Sequence, residues 1–314
     1  MKAYIHSCHA TLEYDTAVQF KMLGWEVSGS FDTGSVERPK VEGMTDESNR
    51  FSPGEADFIL LHQCENFPEV MEKYILKYNK PVISHAFGQG CHAQHESVVQ
   101  LANDSKLASV VAYSWKDYHT YQDLGIPSEQ LAMIRFGKNL SEYRGERGWS
   151  GRMPFCYVTC NAAPRRGDGC GWGLLNELVD MGVPLLLGGQ ETEALPFGLG
   201  QLPYDTMKSM FRQARCYLSL GTMPAPYTLS FVEAMSAGCP VIAYDNGYGV
   251  ADEGFDVVLC KSAQDIASHI GEYVSNRGAA EVLSQKMIDV SNREFDNNKV
   301  IEHWKTYVER QLSL

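Results

Sequence analysis

Residues 221–243 constrain this chain most: Gly-Thr-Met-Pro-Ala-Pro-Tyr-Thr-Leu-Ser-Phe-Val-Glu-Ala-Met-Ser-Ala-Gly-Cys-Pro-Val-Ile-Ala. A turn rich in Gly and Pro leads into a short helix with one carboxylate, Glu233. Gly238-Cys239-Pro240 breaks that helix, and Val241-Ile242-Ala243 opens an apolar strand. The start of a helix aimed at a crevice between strands is a ready anion site. A carboxylate a turn and a half further on can accept hydrogen bonds from ribose hydroxyls. Together these suit a nucleotide diphosphate sugar.

The rest of the chain alternates strand and helix patterns, which predicts an α/β protein with parallel sheets. Strands are expected at Lys2–Ser7, Trp25–Ser28, Ala56–His62, Pro81–His85, Ser109–Ser114 and Leu131–Phe136. Helices are expected at Leu12–Leu23, stopped by Gly24, at Phe67–Tyr78 and at Trp115–Leu124. The polar segment Asp32–Pro53 reads as a long loop. Glu146–Arg152 reads as a linker, and a second α/β series begins at Pro154–Thr159. It continues through a helix over Gly173–Met181, a strand over Val183–Leu187, a helix over Tyr204–Ala214 and a strand over Cys216–Leu220. A final helix spans Asn298–Gln311. The 314 residues thus divide into residues 1–150, 151–295 and a terminal helix in 296–314.

A net charge of −12, dispersed rather than blocked, argues against a general polyanion binder and a lipid-surface protein. No apolar run is long enough to span a bilayer, and the N-terminus leads straight into a strand. The nine cysteines form no Cys-x-x-Cys pair, so free thiols in a cytoplasmic protein are expected. His6, Cys8 and His9 lie close together but lack a second ligand pair with zinc spacing, so no metal is expected.

The stretch 221–243 resembles the donor-binding signature of GT-B glycosyltransferases, in particular the large retaining family 4. That pattern has Glu-Gly-Phe-Gly-Leu, three residues, then Glu-Ala-Met-Ala-x-Gly-x-Pro-Val-Ile-Ala. Glu233 matches its second glutamate, while Ala225 stands where the first would fall. The segment from Ser109 to Tyr143 resembles the end of the GT-B N-terminal domain. It has a strand ending in Ser114, a helix, Leu124-Gly125-Ile126-Pro127, a strand, then Gly137-Lys138-Asn139 and an aromatic at Tyr143. The resemblance implies two Rossmann-like domains facing a cleft, and a hexosyltransferase that retains anomeric configuration without a metal or other cofactor.

The same resemblance distributes roles. Asn161-Ala162-Ala163-Pro164-Arg165-Arg166-Gly167 is similar to the family's Gly-Arg-x-x-x-x-Lys-Gly loop, with Arg166 at the Lys position, Asn161 at the Arg position and Arg165 supplying the charge Asn161 lacks. Glu233 would take the ribose. Thr228, Leu229 and Ser230 would offer backbone N–H groups to phosphates and sugar. Tyr227 occupies the Phe position of Gly-Phe-Gly. Gly188 and Gly189 would let the base approach the backbone. His85, ahead of Gly88-Gln89-Gly90, resembles the histidine that contacts the transferred sugar. The turn Ser7–Thr11 lacks the paired glycines usual after the first strand. The donor is expected to be a UDP- or GDP-sugar. The acceptor stays open between a glycan, a small molecule and a modified DNA base, the last as in phage-type enzymes. A protein that binds a nucleotide sugar without transferring it, or that serves as a partner subunit, is the reading Ala225 keeps open.

Overall fold

The run Phe58–His62 is apolar at nearly every position and buried throughout. A strand with no polar face has to be covered on both sides, which is the setting of a central parallel strand. The computed structural model describes residues 1–6, 10–29, 50–62, 67–86 and 94–314. Most of the expected loop Asp32–Pro53, the turn at 7–9, Cys8, His9 and Gly88-Gln89-Gly90 lie outside the described residues.

One unit comprises Met1–Gly137 and Asn297–Leu314. Its chain runs β1 (Lys2–His6), α1 (Ala10–Met22), β2 (Glu26–Gly29), β3 (Phe58–His62), α2 (Phe67–Tyr78), β4 (Val82–Ala86), α3 (His95–Asp104), β5 (Ala108–Ala112), α4 (Trp115–Asp123) and β6 (Leu131–Met133). The six strands form one parallel sheet in the order β2-β1-β3-β4-β5-β6. Alternate residues feed two cores. Ala3, Ile5, Phe58, Leu60, Ile83 and Val111 point to one face, and Tyr4, Ile59, Leu61, Val82 and Val110 to the other. Ser114 caps α4, its Oγ accepting from the Asp117 N–H at 3.0 Å.

The second unit, Lys138–Asp296, starts earlier than the linker at 146–152 predicts. It contains α5 (Leu140–Arg144), β7 (Met153–Thr159), α6 (Ala163–Arg166), α7 (Trp172–Asp180), β8 (Leu185–Gly188), β9 (Gly198–Gly200), α8 (Tyr204–Gln213), β10 (Ala214–Ser219), α9 (Leu229–Ser236), β11 (Val241–Tyr244), β12 (Val258–Cys260), α10 (Ala263–Ser275) and α11 (Arg277–Glu294). Residues 138–150 belong here because Tyr143 and Arg144 bond to this unit: the Arg144 guanidinium donates to the Ser236 carbonyl, Ser291 Oγ and Asn292 Oδ1. The sheet is again parallel, in the order β12-β11-β10-β7-β8-β9. Gly238, with φ +76°, ends α9 in the left-handed conformation that a glycine adopts without strain.

The chain then returns to the first unit as α12 (Asn297–Gln311). Trp304 is buried edge-on against Phe20, ring centroids 5.5 Å apart. The Tyr307 hydroxyl donates to the carbonyls of Val110 and Gln130 at 3.1 and 2.9 Å. Among the described residues no helix is long and apolar enough to cross a membrane.

Candidate functional site

In the second unit β7 comes first in sequence and lies inside the sheet. Strands β8 and β9 extend from one side of it, and β10, β11 and β12 from the other. The chain reverses its winding between β7 and β10, and the crevice beyond their carboxyl ends is where an open α/β sheet receives ligands. Residues 160–166 follow β7, and Leu220, Gly221 and Thr222 follow β10.

Arg166 joins these two loops. Its Nη1 donates to the Asn161 carbonyl at 3.4 Å and its Nη2 to Thr222 Oγ1 at 3.5 Å, and Cys160 Sγ lies 3.7 Å from Nη1. All three contacts are long, so the guanidinium is tethered by weak bonds that a phosphate oxygen would outcompete. Asn161 is occupied differently from the expectation: its Oδ1 accepts the Gln190 N–H at 3.0 Å and fixes the loop after β8. Arg165 points away into an exposed pair with Glu191 at 3.0 Å, which holds its guanidinium above its usual range. Its charge is already balanced, so Arg166 is the cation of the two that meets the Thr222 loop.

The two glycines ending β8 have a structural cause. A Cβ at Gly188 would stand 2.4 Å from the Tyr157 hydroxyl, and one at Gly189, where φ is +144°, would stand 2.2 Å from the Cys160 carbonyl oxygen. Close approach of β7 and β8 requires them, whatever a ligand requires.

Helix α9 begins beside this crevice. Thr228 caps it, Oγ1 accepting the Phe231 N–H at 3.4 Å. Ser230 Oγ lies 3.0 Å from Thr228 Oγ1 and accepts from the Tyr217 hydroxyl at 3.1 Å, which in turn lies 2.9 Å from Thr159 Oγ1 at the end of β7. Burial pushes the Tyr217 phenol up, so it stays a neutral link in this chain. Thr228, Leu229 and Ser230 are half-buried, and the helix is buried from Phe231 onward. Tyr227 is 2% exposed, its ring against those of Phe231 and Phe255. It anchors the turn from inside the core.

Glu233 is neither a surface carboxylate nor an open one. It is 4% exposed. Its Oε1 lies 3.5 Å from Nζ of Lys138, itself 0% exposed, and accepts from the Tyr143 hydroxyl at 3.0 Å. Tyr143 also shares a short hydrogen bond with the Tyr204 hydroxyl. Burial above all, with the nearby charge of Glu233 adding to it, raises the phenols of Tyr157 and Tyr217. Lys138, Tyr143 and Tyr204 are the residues sequence reasoning missed as site members. Lys138 reads as part of a polar turn, and only its burial distinguishes it.

His85 lies in the first unit, near the carboxyl end of β4. Its ring is 2% exposed, 5.0 Å from that of Phe136 and 5.3 Å from that of Trp304 by centroids. Burial lowers its pKa to about 3, with the Ile134 backbone pulling weakly the other way. A neutral ring packed between aromatics fills a core. Among the described residues no group of His, Cys, Asp or Glu could hold a metal.

With this geometry in view, comparison with known proteins is informative. The profile of the family Glycosyl transferases group 1 matches residues 197–289, the segment containing β10, α9 and β11. A sequence search of curated proteins finds no match. Among solved structures, Anabaena HepE in complex with UDP and glucose is 14% identical, covering 98% of this chain and 99% of its own, with a TM-score of 0.72. A glycosyltransferase from Rickettsia africae is 12% identical over 98% of both chains, with a TM-score of 0.72. Sucrose-phosphate synthase from Thermosynechococcus elongatus is 15% identical over 99% of both, with a TM-score of 0.69. The chain therefore has the GT-B fold of these enzymes, and residues 197–289 of its second unit match the model of group 1 glycosyl transferases.

Proposed function

We propose that the chain transfers a hexose from a nucleotide diphosphate sugar, a UDP-sugar first among candidates, to an acceptor hydroxyl. What supports this reading is that Arg166 ties the loops after β7 and β10 together, and that the capped start of α9 is linked to the end of β7 through Ser230, Tyr217 and Thr159, with Glu233 further along the same helix. The likeness to HepE, which was solved with UDP and glucose, supports the choice of uridine. In this reading the diphosphate meets the N–H groups of Leu229 and Ser230 and the Arg166 guanidinium, which stabilise the charge that grows as the glycosidic C–O bond breaks. Glu233 receives a ribose hydroxyl.

The transfer is retaining and needs no metal. The acceptor oxygen approaches the face the diphosphate leaves, and the departing phosphate oxygen takes the acceptor's proton as the new C–O bond forms. No side-chain nucleophile is then required. Ala225, which is 4% exposed, stands where the resembled signature has its first glutamate, and in this reading the sugar is held by other residues. His85 contributes packing, and the acceptor is received by the first unit. The free cysteines of the second unit suit a reducing cytoplasm.

Calorimetric titration with UDP, UDP-glucose and GDP-mannose tests the donor site. Arg166→Ala removes a charge-assisted contact and is expected to weaken UDP binding about tenfold or more. Slow hydrolysis of one UDP-sugar is expected with the unaltered chain. UDP affinity unchanged in Arg166→Ala would end the reading; binding with neither hydrolysis nor transfer would leave a donor-binding protein without transferase activity.

A further inference from the structure

We propose that Lys138 is a positioning residue for the donor's ribose: its buried ammonium, with the Tyr143 hydroxyl, fixes the Glu233 carboxylate as the acceptor for a ribose hydroxyl. The inference rests on the donor-site reading and adds to it a residue outside the stretch 221–243. Lys138 Nζ lies 3.5 Å from Glu233 Oε1 and 5.6 Å from the centre of the Tyr143 ring. Both members of the pair are withdrawn from water, at 0% and 4% exposure. A buried ion pair gives little net stability over apolar side chains of the same volume, because desolvation offsets the Coulomb attraction. What it supplies is orientation: a carboxylate held from two directions at one oxygen loses its freedom to rotate before the ligand arrives.

The backbone of Lys138 is equally fixed. It is the first residue of the second unit, its N–H donates to the Phe295 carbonyl at 2.7 Å, and it forms a parallel bridge with Asp296. Phe295 is fully buried against Phe255, whose ring also contacts Tyr227 and Phe231 of the α9 turn. The ammonium is thus anchored to the same packed cluster that seats α9. Removing it takes the balancing charge from a buried carboxylate and leaves the Tyr143 hydroxyl donating to that oxygen, so the carboxylate is held less firmly and can more easily take up a proton.

The test compares UDP with its 2′-deoxy and 3′-deoxy analogues, using the full chain and the variants Lys138→Met, Lys138→Arg, Glu233→Gln and the double Lys138→Met/Glu233→Gln. The unaltered chain is expected to prefer UDP over one deoxy analogue by about tenfold. Lys138→Met should lose that preference while binding the deoxy analogue as before, Lys138→Arg should recover most of it, and the double variant should behave as Glu233→Gln alone. A role confined to stability moves the melting temperature and leaves the UDP-to-deoxy ratio untouched, and that result overturns the proposal. Should Lys138→Met not fold, the double variant, with its neutral pair, carries the comparison: a ribose preference that survives in it overturns the proposal. If Glu233→Gln keeps the full preference, the ribose assignment of Glu233 fails and Lys138 falls with it. If Glu233→Gln loses the preference and Lys138→Met keeps it, only Lys138 is refuted.

Discussion

Replacing His85 with phenylalanine should flatten the acid dependence of stability, and the size of the effect follows from the burial of its ring. An exposed histidine titrates near 6.5, whereas in the folded chain His85 is held at about 3. As pH falls, the unfolded chain takes up a proton that the folded chain refuses. Stability carried by the neutral ring is therefore whole above pH 6.5 and is lost progressively between 6.5 and about 3. At pH 5 the unfolded state has gained about 1.5 pH units of protonation free energy, or about 2 kcal/mol at about 1.4 kcal/mol per unit. A folded value one unit higher would change this little, since pH 5 would still lie above it. Urea denaturation at pH 7 and pH 5, followed by fluorescence, measures the difference. The unaltered chain should lose about 2 kcal/mol more than His85→Phe between the two pH values. Phenylalanine is an apolar ring of similar size, suited to the site between Phe136 and Trp304, so the comparison isolates the proton. Equal slopes in the two proteins would refute the buried, neutral ring. Loss of sugar transfer at pH 7 with stability intact would show that His85 works on the substrate after all.

Two further substitutions probe the start of α9. Thr228→Ala removes the cap and should cost about 1 kcal/mol, visible as a small fall in melting temperature, with weaker UDP binding because the helix start loosens; an unchanged melting temperature would mean that the 3.4 Å bond to the Phe231 N–H contributes nothing. Ala225→Glu, which restores the first glutamate of the resembled signature, places a carboxylate at a buried position whose N–H already donates to the Thr222 carbonyl at 2.7 Å. It should destabilise the chain by about 1–3 kcal/mol without raising the rate of sugar transfer; a faster enzyme of normal stability would contradict the packing described here.

Much of the architecture was legible in advance because it depends on short-range pattern. The helix over Phe67–Tyr78 has the bounds that periodicity predicts, and the apolar run of β3 announced a parallel sheet covered on both faces. Not only short elements escaped: β9 and β12 have three residues each, but α10 and α11, of 13 and 18 residues, were not read from the sequence either. The site was legible only as a list of residue types. Helical periodicity places Glu233 on a face of α9 without saying whether that face meets solvent or core, so a surface position and a buried one read alike. Arg165 and Arg166 are adjacent and chemically equivalent in sequence. Glu191, reached through the pairing of β8 with β7, takes one, while Thr222, beyond β10, meets the other.

Local chemistry determined where the chain turns helical, where it breaks and which strands must be covered, because those outcomes are fixed by neighbours a few residues apart. Tertiary structure alone decided which charges share a buried oxygen. Lys138 meets Glu233 only after the parallel sheet and its helices bring distant segments together, and only the removal of water there turns a polar turn residue into the partner of a carboxylate.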